Sequence, residues 1–463
     1  MMEIGPHTSV LVVGLGYRSG LAAANFLAAK GCRVLISDVK TREELADTIA
    51  RLDKRVEVFA GNQDPSLLDR GFDLIVLSPG VPAVIPLVAE ARRRGVPVIA
   101  EVELAFRFLR GRMVAITGTD GKSTTTSLVG HVLRSLGCRA LVGGNIGIPL
   151  VSLVEESMDD TVSVIELSSF QLETVERLRP DVAAILNIST DHLDRYASMD
   201  EYFRAKLRIA MNQTADDSFV YNMDDPMLNA GVGGVAARRL GFSMTNADAD
   251  AFLGKDTIFI RDAGAVKGVL DLSRMRLIGV HNVQNAMAAL LMVVSLFRKM
   301  GKEPDYPLMA EACYSFEGLA HRMERIGELK GRLFVNDSKA TTIGAVEMAL
   351  KSLSGGIVLI LGGRTKGDDY SRLRGPVAER VKFLVLIGES SREFAGIFAG
   401  VPGETAAGMD DALARAMRAS AEGDTILLSP ACASYDMFSN FEERGEAFRD
   451  SFARLSSGEI SWT

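Results

Sequence analysis

Five histidines, four cysteines and one tryptophan are spread thinly over 463 residues, and aromatic residues make up only 6%. Cys32, Cys138, Cys313 and Cys432 lie far apart. They show neither metal-ligand spacing nor a disulfide pattern, which leaves four reduced and mostly buried thiols. Positive charge is in deficit as well: 52 Lys and Arg against 59 Asp and Glu give a net charge of −7. No general attraction to nucleic acid or anionic membrane follows, so any anion must be held by local groups. The opening MMEIGPHTSVLVVGLG lacks the basic region and cleavage site of a signal peptide. The longest apolar run, Ala286 to Phe297, reads as too short to cross a bilayer and suits a buried helix. The expectation is a cytoplasmic protein without nucleic-acid partner or membrane insertion.

What is present is a soluble globular composition, 47% hydrophobic and 24% charged. At about 150 residues per domain the length suggests roughly three domains. Three α/β stretches follow one another, and the expected domains are 1–101, 102–316 and 317–463. The first holds SVLVVGLG, CRVLISD and FDLIVLSPG, continuous apolar runs of the kind buried in parallel sheets. The second holds RMVAITGTDGKS, VSVIELSS, VAAILNIS and DSFVYNMDD, with helices over 200–211 and 281–297. The third holds LFVNDS, IVLILGG, FLVLIG and DTILLSP. Alternating strands and helices imply parallel sheets with right-handed crossovers. Ligands of such sheets sit beyond the carboxyl ends of the strands, where polar clusters recur along this chain. That recurrence points to an enzyme with its cleft between domains.

Two glycine turns carry the chemistry. GLGYRSG places Gly14, Gly16 and Gly20 between strand and helix, with Asp38 closing the next strand. Its G-x-G-x-x-x-G spacing is looser than the dinucleotide fingerprint. NAD(P), another nucleotide diphosphate and a purely structural turn all remain open on these residues. The second turn, TGTDGKST, offers backbone N–H groups to an anion and Lys122 to terminal phosphates. Ser123 or Thr124 adds a hydroxyl for Mg²⁺. A strict P-loop would need glycine at 116, where the chain has Ile116, so an ordinary P-loop NTPase is disfavoured but triphosphate binding is not. Glu166, at the end of VIELSS, is placed like a hard oxygen ligand for that metal, and His192 follows another strand beside Asp191.

With GLGYRSG, TGTDGKSTT, GGNIGIP, ELSSFQLE, NISTDHLDRY, FRAKLRI, GVHNVQNAMAA, LAHRMERIG, NDSKATT, LGGRTKG and LSPACASYDMFSNFEERGEAF in order, the sequence resembles the Mur ligase family over essentially its whole length. The resemblance implies three α/β domains: an N-terminal Rossmann-like UDP-binding domain, a central P-loop-type ATPase domain with a mostly parallel sheet, and a C-terminal Rossmann-like domain. It implies an ATP-dependent amide ligase of peptidoglycan precursor synthesis, adding D-glutamate to UDP-N-acetylmuramoyl-L-alanine through an acyl phosphate and giving ADP and phosphate. Another amino-acid ligase of the family, or one of the folylpolyglutamate type, is the alternative. An NAD(P) dehydrogenase would leave the second turn unexplained, and a scaffold without turnover would leave the catalytic positions unexplained.

The same likeness assigns residues. Gly118, Thr119, Asp120, Gly121, Lys122, Ser123, Thr124, Asn282, Asn285, Arg322 and Asp337 would hold ATP, Asp120 standing where the family has Asn. Leu15, Gly16, Tyr17, Asp38, Ser78, Gly80, Asn145 and His192 would hold the UDP substrate. Thr341, Lys366, Ser434 and the backbone near Phe441 would hold glutamate. Ser123, Glu166, His192 and Lys206, the last as a carbamate formed with CO₂, would hold two Mg²⁺ ions. Lys122, His192, Lys206 and Lys339 would be catalytic, with His321 nearby and His281 structural. A monomer that closes on its ligands is expected.

Overall fold

Apolar runs ending in glycine turns become the central strands of three sheets in the computed structural model, which describes residues 4–191, 195–277 and 279–462. The first sheet is wholly parallel: β1 (Ser9–Val13), β2 (Arg33–Asp38), β3 (Glu57–Ala60), β4 (Leu74–Leu77) and β5 (Val98–Ala100), in the order β3-β2-β1-β4-β5. All of β1 and β4 is buried, as helix-covered parallel strands must be. The strand order reverses between β1 and β4, and a crevice opens beyond their carboxyl ends.

The second sheet comprises β6 (Arg112–Thr117), β7 (Arg139–Gly144), β8 (Thr161–Glu166), β9 (Val182–Ile185), β10 (Ser218–Asn222), β11 (Arg238–Ser243), β12 (Ala251–Gly254), β13 (Thr257–Asp262) and β14 (Ala265–Asp271). Its order is β14-β13-β12-β11-β10-β9-β6-β8-β7, parallel except where β13 pairs with β12 and β14. Here β6 is the point of reversal, flanked by β8 and β9. The third sheet, β15 (Glu324–Leu329), β16 (Arg332–Asn336), β17 (Ile357–Gly362), β18 (Val381–Ile387), β19 (Gly403–Thr405) and β20 (Thr425–Leu428), runs β15-β16-β20-β17-β18-β19, antiparallel only at β15.

The chain forms two compact units. One extends to Leu272 and includes Gln284–Cys313; the other is Ser273–Val283 with the residues from Tyr314 onward. Within the first unit, the short helix Glu101–Phe106 joins its two sheets. Glu103 Oε2 accepts the backbone N–H groups of Glu176, Arg177 and Leu178 at 3.0–3.1 Å. Glu101 Oε1 accepts the Val151 N–H at 2.8 Å, while burial pushes its carboxyl up to about 7.

The apolar run from Ala286 lies in a longer helix than its own length suggests, Val280–Lys299. By length and composition alone that helix could cross a membrane, so the short run was no argument against spanning. Burial is the better one: 72% of its most apolar window is packed inside the protein.

Candidate active site

β6 delivers the second glycine turn at the reversal of its sheet, and the helix Lys122–Ser135 starts from Gly121. Gly118 and Gly121 take positive φ, 149° and 77°. A Cβ on Gly121 would fall 2.3 Å from Asn285 Oδ1, so the turn needs glycine both for its backbone and for the side chain packed on it. Asn187, from the end of β9, grips the same turn. Its Oδ1 accepts the N–H groups of Thr119 at 3.1 Å and Asp120 at 2.8 Å, and its Nδ2 donates to the Asp120 carbonyl at 3.2 Å. Asn187 sits inside NISTDHLDRY, and nothing in that segment's spacing singles it out. Lys122 Nζ donates to the Thr119 carbonyl at 2.6 Å, folding its ammonium back over the turn. The odd carboxylate of Asp120 accepts the Ser189 hydroxyl at 3.3 Å.

Two buried titratable groups face this cradle. Glu166 closes β8 and is 2% exposed; its Oε1 accepts Asn145 Nδ2 at 2.8 Å, while its buried Oε2 has no hydrogen-bond partner. An orphaned carboxylate oxygen suits a hard cation, which normally offsets the cost of burying it. Among the described residues no three His, Cys, Asp or Glu gather into a ready-made metal cage. That fits magnesium, which binds through one or two carboxylates and completes its shell with phosphates and water. Lys206, on the helix Met199–Leu207, is 1% exposed and donates to the Gly118 carbonyl at 2.7 Å. Its Nζ lies 4.5 Å from the Tyr202 ring centroid. Burial, with Lys122 close by, pulls its amine down to about 6. His192 lies outside the described residues. Ser123 is buried beside the turn, and Thr124 is half-buried next to it. Asn282 and Asn285 are buried along the helix Val280–Lys299.

The first turn builds a different site. Gly14 and Gly16 take φ of 92° and 41°. Gly20 touches the backbone so closely that a Cβ would meet the Gly14 and Leu15 carbonyl oxygens at 2.0 and 2.2 Å. Asp38 clamps the turn, accepting the Leu15 N–H at 2.7 Å and the Lys40 N–H at 3.0 Å. The Leu15 side chain is wholly buried, so Leu15 can meet a ligand only through its backbone. Ser78 donates to the Gly14 carbonyl. A crevice of about 580 Å³ is lined by Gly16, Tyr17, Asp38, Ser78, Gly80 and Asn145, with Gln171 across from the first sheet. Asn145 thus lines the crevice and also orients the carboxylate of the cradle.

In the second unit, Asp337 follows β16 and accepts from Ser429 Oγ at 2.9 Å and the Met323 N–H at 3.2 Å. Burial pushes its carboxyl up to about 7, against the pull of those donors and of Arg322. His321 and Met323 hold positive φ, 62° and 43°, strain that clusters at functional turns. The His321 carbonyl accepts the Lys339 N–H at 3.0 Å. Lys339 Nζ stands 5.1 Å from the Phe441 ring centroid, and Lys366 Nζ donates to Thr341 Oγ1 at 3.2 Å. His281, on the same unit, meets Ser352 Oγ at 3.1 Å. Arg444, which sequence reading passed over, is 1% exposed. It donates to Ser338 Oγ and O and to the Cys432 carbonyl, joining the loop of Lys339 and Thr341 to the loop of Ser434.

Family models match the chain in three consecutive pieces: "Mur ligase MurD-like, N-terminal domain" over 8–100, "Mur ligase middle domain" over 116–293 and "Mur ligase, glutamate ligase domain" over 321–432. The UDP-N-acetylmuramoylalanine–D-glutamate ligase of Acidobacterium capsulatum is 44% identical over 95% of this chain and 95% of its own. That of Geotalea daltonii is 44% identical over 97% and 98%. Among solved structures, the UDP-N-acetylmuramate-alanine ligase MurC of Thermotoga maritima covers 97% of this chain and 100% of its own, with a TM-score of 0.57 at 19% identity. MurF ligase from Thermotoga maritima, in complex with ADP, covers 92% and 95% with a TM-score of 0.56 at 15% identity. These two speak for the three-domain α/β fold.

Proposed function

The chain belongs to the Mur ligase family, and we propose that it joins D-glutamate to UDP-N-acetylmuramoyl-L-alanine in an ATP-driven step of peptidoglycan synthesis. One observation carries the reading: Lys122, the orphaned Glu166 oxygen and buried Lys206 converge on one phosphate turn. They do so in a chain that matches D-glutamate ligases from end to end.

The chemical obstacle is that a carboxylate must approach a triphosphate, two anions, and positive charge removes it without a protein nucleophile. The turn's N–H groups and Lys122 hold the β- and γ-phosphates of ATP. The alanyl carboxylate then attacks the γ-phosphorus, ADP leaves, and an acyl phosphate forms. The amine of D-glutamate attacks the acyl carbon, loses a proton, and phosphate departs as the amide closes. Ser123, Glu166 and His192 would hold Mg²⁺, two ions in all, whose chemistry is to screen the phosphate charge. Lys206 would join them as a carbamate: burial favours the neutral amine that adds CO₂ with loss of a proton, and the product would be an anionic oxygen ligand.

The first turn takes the UDP moiety through Leu15, Gly16, Tyr17, Asp38, Ser78 and Gly80, and Asn145 reaches its muramoyl-alanine portion. Thr119, Asp120, Thr124, Asn282, Asn285, Arg322 and Asp337 complete the ATP contacts. Lys366, Thr341, Ser434 and the backbone at Phe441 pair with the two carboxylates of glutamate, which would be costly to desolvate unpaired. Lys339 acts at the reaction centre. Domain limits at 101 and 316 are supported by the three sheets on either side of them. The protein works in the cytoplasm as a monomer without membrane insertion.

Phosphate release with ATP, Mg²⁺, UDP-N-acetylmuramoyl-L-alanine and amino acids of both hands tests this. Release should require D-glutamate. Turnover without ATP, an adenylate intermediate, or preference for another amino acid would overturn the reading.

A further inference from the structure

We propose that the first unit carries a second anion site, for a phosphate-bearing small molecule with an apolar body, in an arginine-lined cavity that shares Pro82 with the UDP crevice. The cavity measures about 510 Å³, a size typical of small-molecule sites. Arg92, Arg195, Arg204 and Arg208 face it against Glu173 and Glu201. Four cations against two anions make it locally positive in a chain whose net charge is −7.

The four arginines are not equivalent. Arg195 is spent on Glu173 at 2.7 Å, and Arg204 pairs with the exposed Asp200. Arg92 and Arg208 have no ion pair among the described residues, and backbone carbonyls aim them instead. Arg92 Nη1 donates to the Ala83 carbonyl at 3.1 Å. Arg208 donates through Nε to Leu172 at 2.8 Å and through Nη2 to Val175 at 2.6 Å. A carbonyl orients a guanidinium without cancelling its charge, so both keep donors and a full positive charge for an anion. Pro82, Ala83 and Ala205 supply apolar wall, and Val84, 81% exposed, stands at the rim. None of these arginines has a part in the proposed ligase chemistry.

Pro82 lines both cavities, and Arg204 and Ala205 lie on the helix that bears Lys206. Occupancy therefore presses on the crevice wall, and UDP affinity should change about fivefold when the site is filled. That second statement alone rests on the proposed role of the crevice.

Phenyl phosphate is the probe, titrated calorimetrically into the full-length protein in magnesium-free buffer saturated with ADP and UDP. Saturable binding, tighter than that of inorganic phosphate, is expected. It should weaken at least about tenfold in the Arg92→Ala/Arg208→Ala double variant, weaken in the same direction in Arg92→Ala alone, whose site is exposed, and persist in Lys122→Ala. No saturable binding, equal affinity in the double variant, or loss in Lys122→Ala would overturn the site. Binding that leaves a separate UDP titration unchanged would overturn the link to the crevice. Failure of UDP to bind at all would count against the assigned function and leave the cavity standing.

Discussion

After β1 and after β6 the chain repeats one manoeuvre: a buried parallel strand, a turn with glycines at positive φ, and a helix. A side chain from a neighbouring strand or its end clamps each turn, Asp38 closing β2 in the first and Asn187 just past β9 in the second. The clamps differ in charge. Asp38 brings an anion to its turn, where hydroxyl recognition suits it. Asn187 is neutral and leaves its turn free to draw phosphates. Around the second turn stand Lys122, Glu166 and Lys206, groups with no counterpart at the first. Topology thus makes two turns of one kind, and the neighbours of each give it a different charge and different donors.

The largest effect that would sharpen this contrast is at Lys206. Lys206→Ala should lower kcat by roughly a thousandfold while UDP-substrate affinity stays level, read by phosphate release and calorimetry. A small carboxylic acid should restore part of the rate, and wild-type turnover would erase the distinction. The two clamps should separate next. Asn187→Ala should raise KM for ATP about tenfold and spare UDP binding, and Asp38→Ala should do the reverse, because each loses charge-assisted or paired hydrogen bonds at its own turn.

The smallest effect concerns the joint between the two sheets. The Glu101 carboxyl, near 7 when folded, keeps a proton that the unfolded chain releases near 4.3. Folding stability from this group should therefore fall as pH rises from about 4.5 to 7 and then level off. Glu101→Gln should flatten that slope and stabilise the protein at pH 8 by roughly 1–3 kcal/mol, measured by denaturant unfolding.

Central strands such as SVLVVGLG and IVLILGG were legible because burial on both faces leaves an unbroken apolar run. The edge strands β3, β7, β14, β15 and β19, and the run β11–β13 leading to β14, were not. β14 and β19 are mostly exposed, and β13 alternates rather than running apolar. Lys122 and Gly121 stood out because the turn they build is written in local spacing. Asn187 and Arg444 stayed silent because each acts on residues far away in sequence, through contacts that only folding creates. Lys206 was legible through family likeness alone, since nothing in RAKLRI says that its amine will be buried.

One carboxylate oxygen on Glu103, in the helix that joins the first two sheets, satisfies three consecutive amides ahead of β9. A chain severed at residue 108, between that helix and β6, would strip Glu176, Arg177 and Leu178 of their acceptor and leave the Glu103 side chain stranded on the first piece. Anyone dissecting this enzyme into separately folding pieces should keep the first two sheets together.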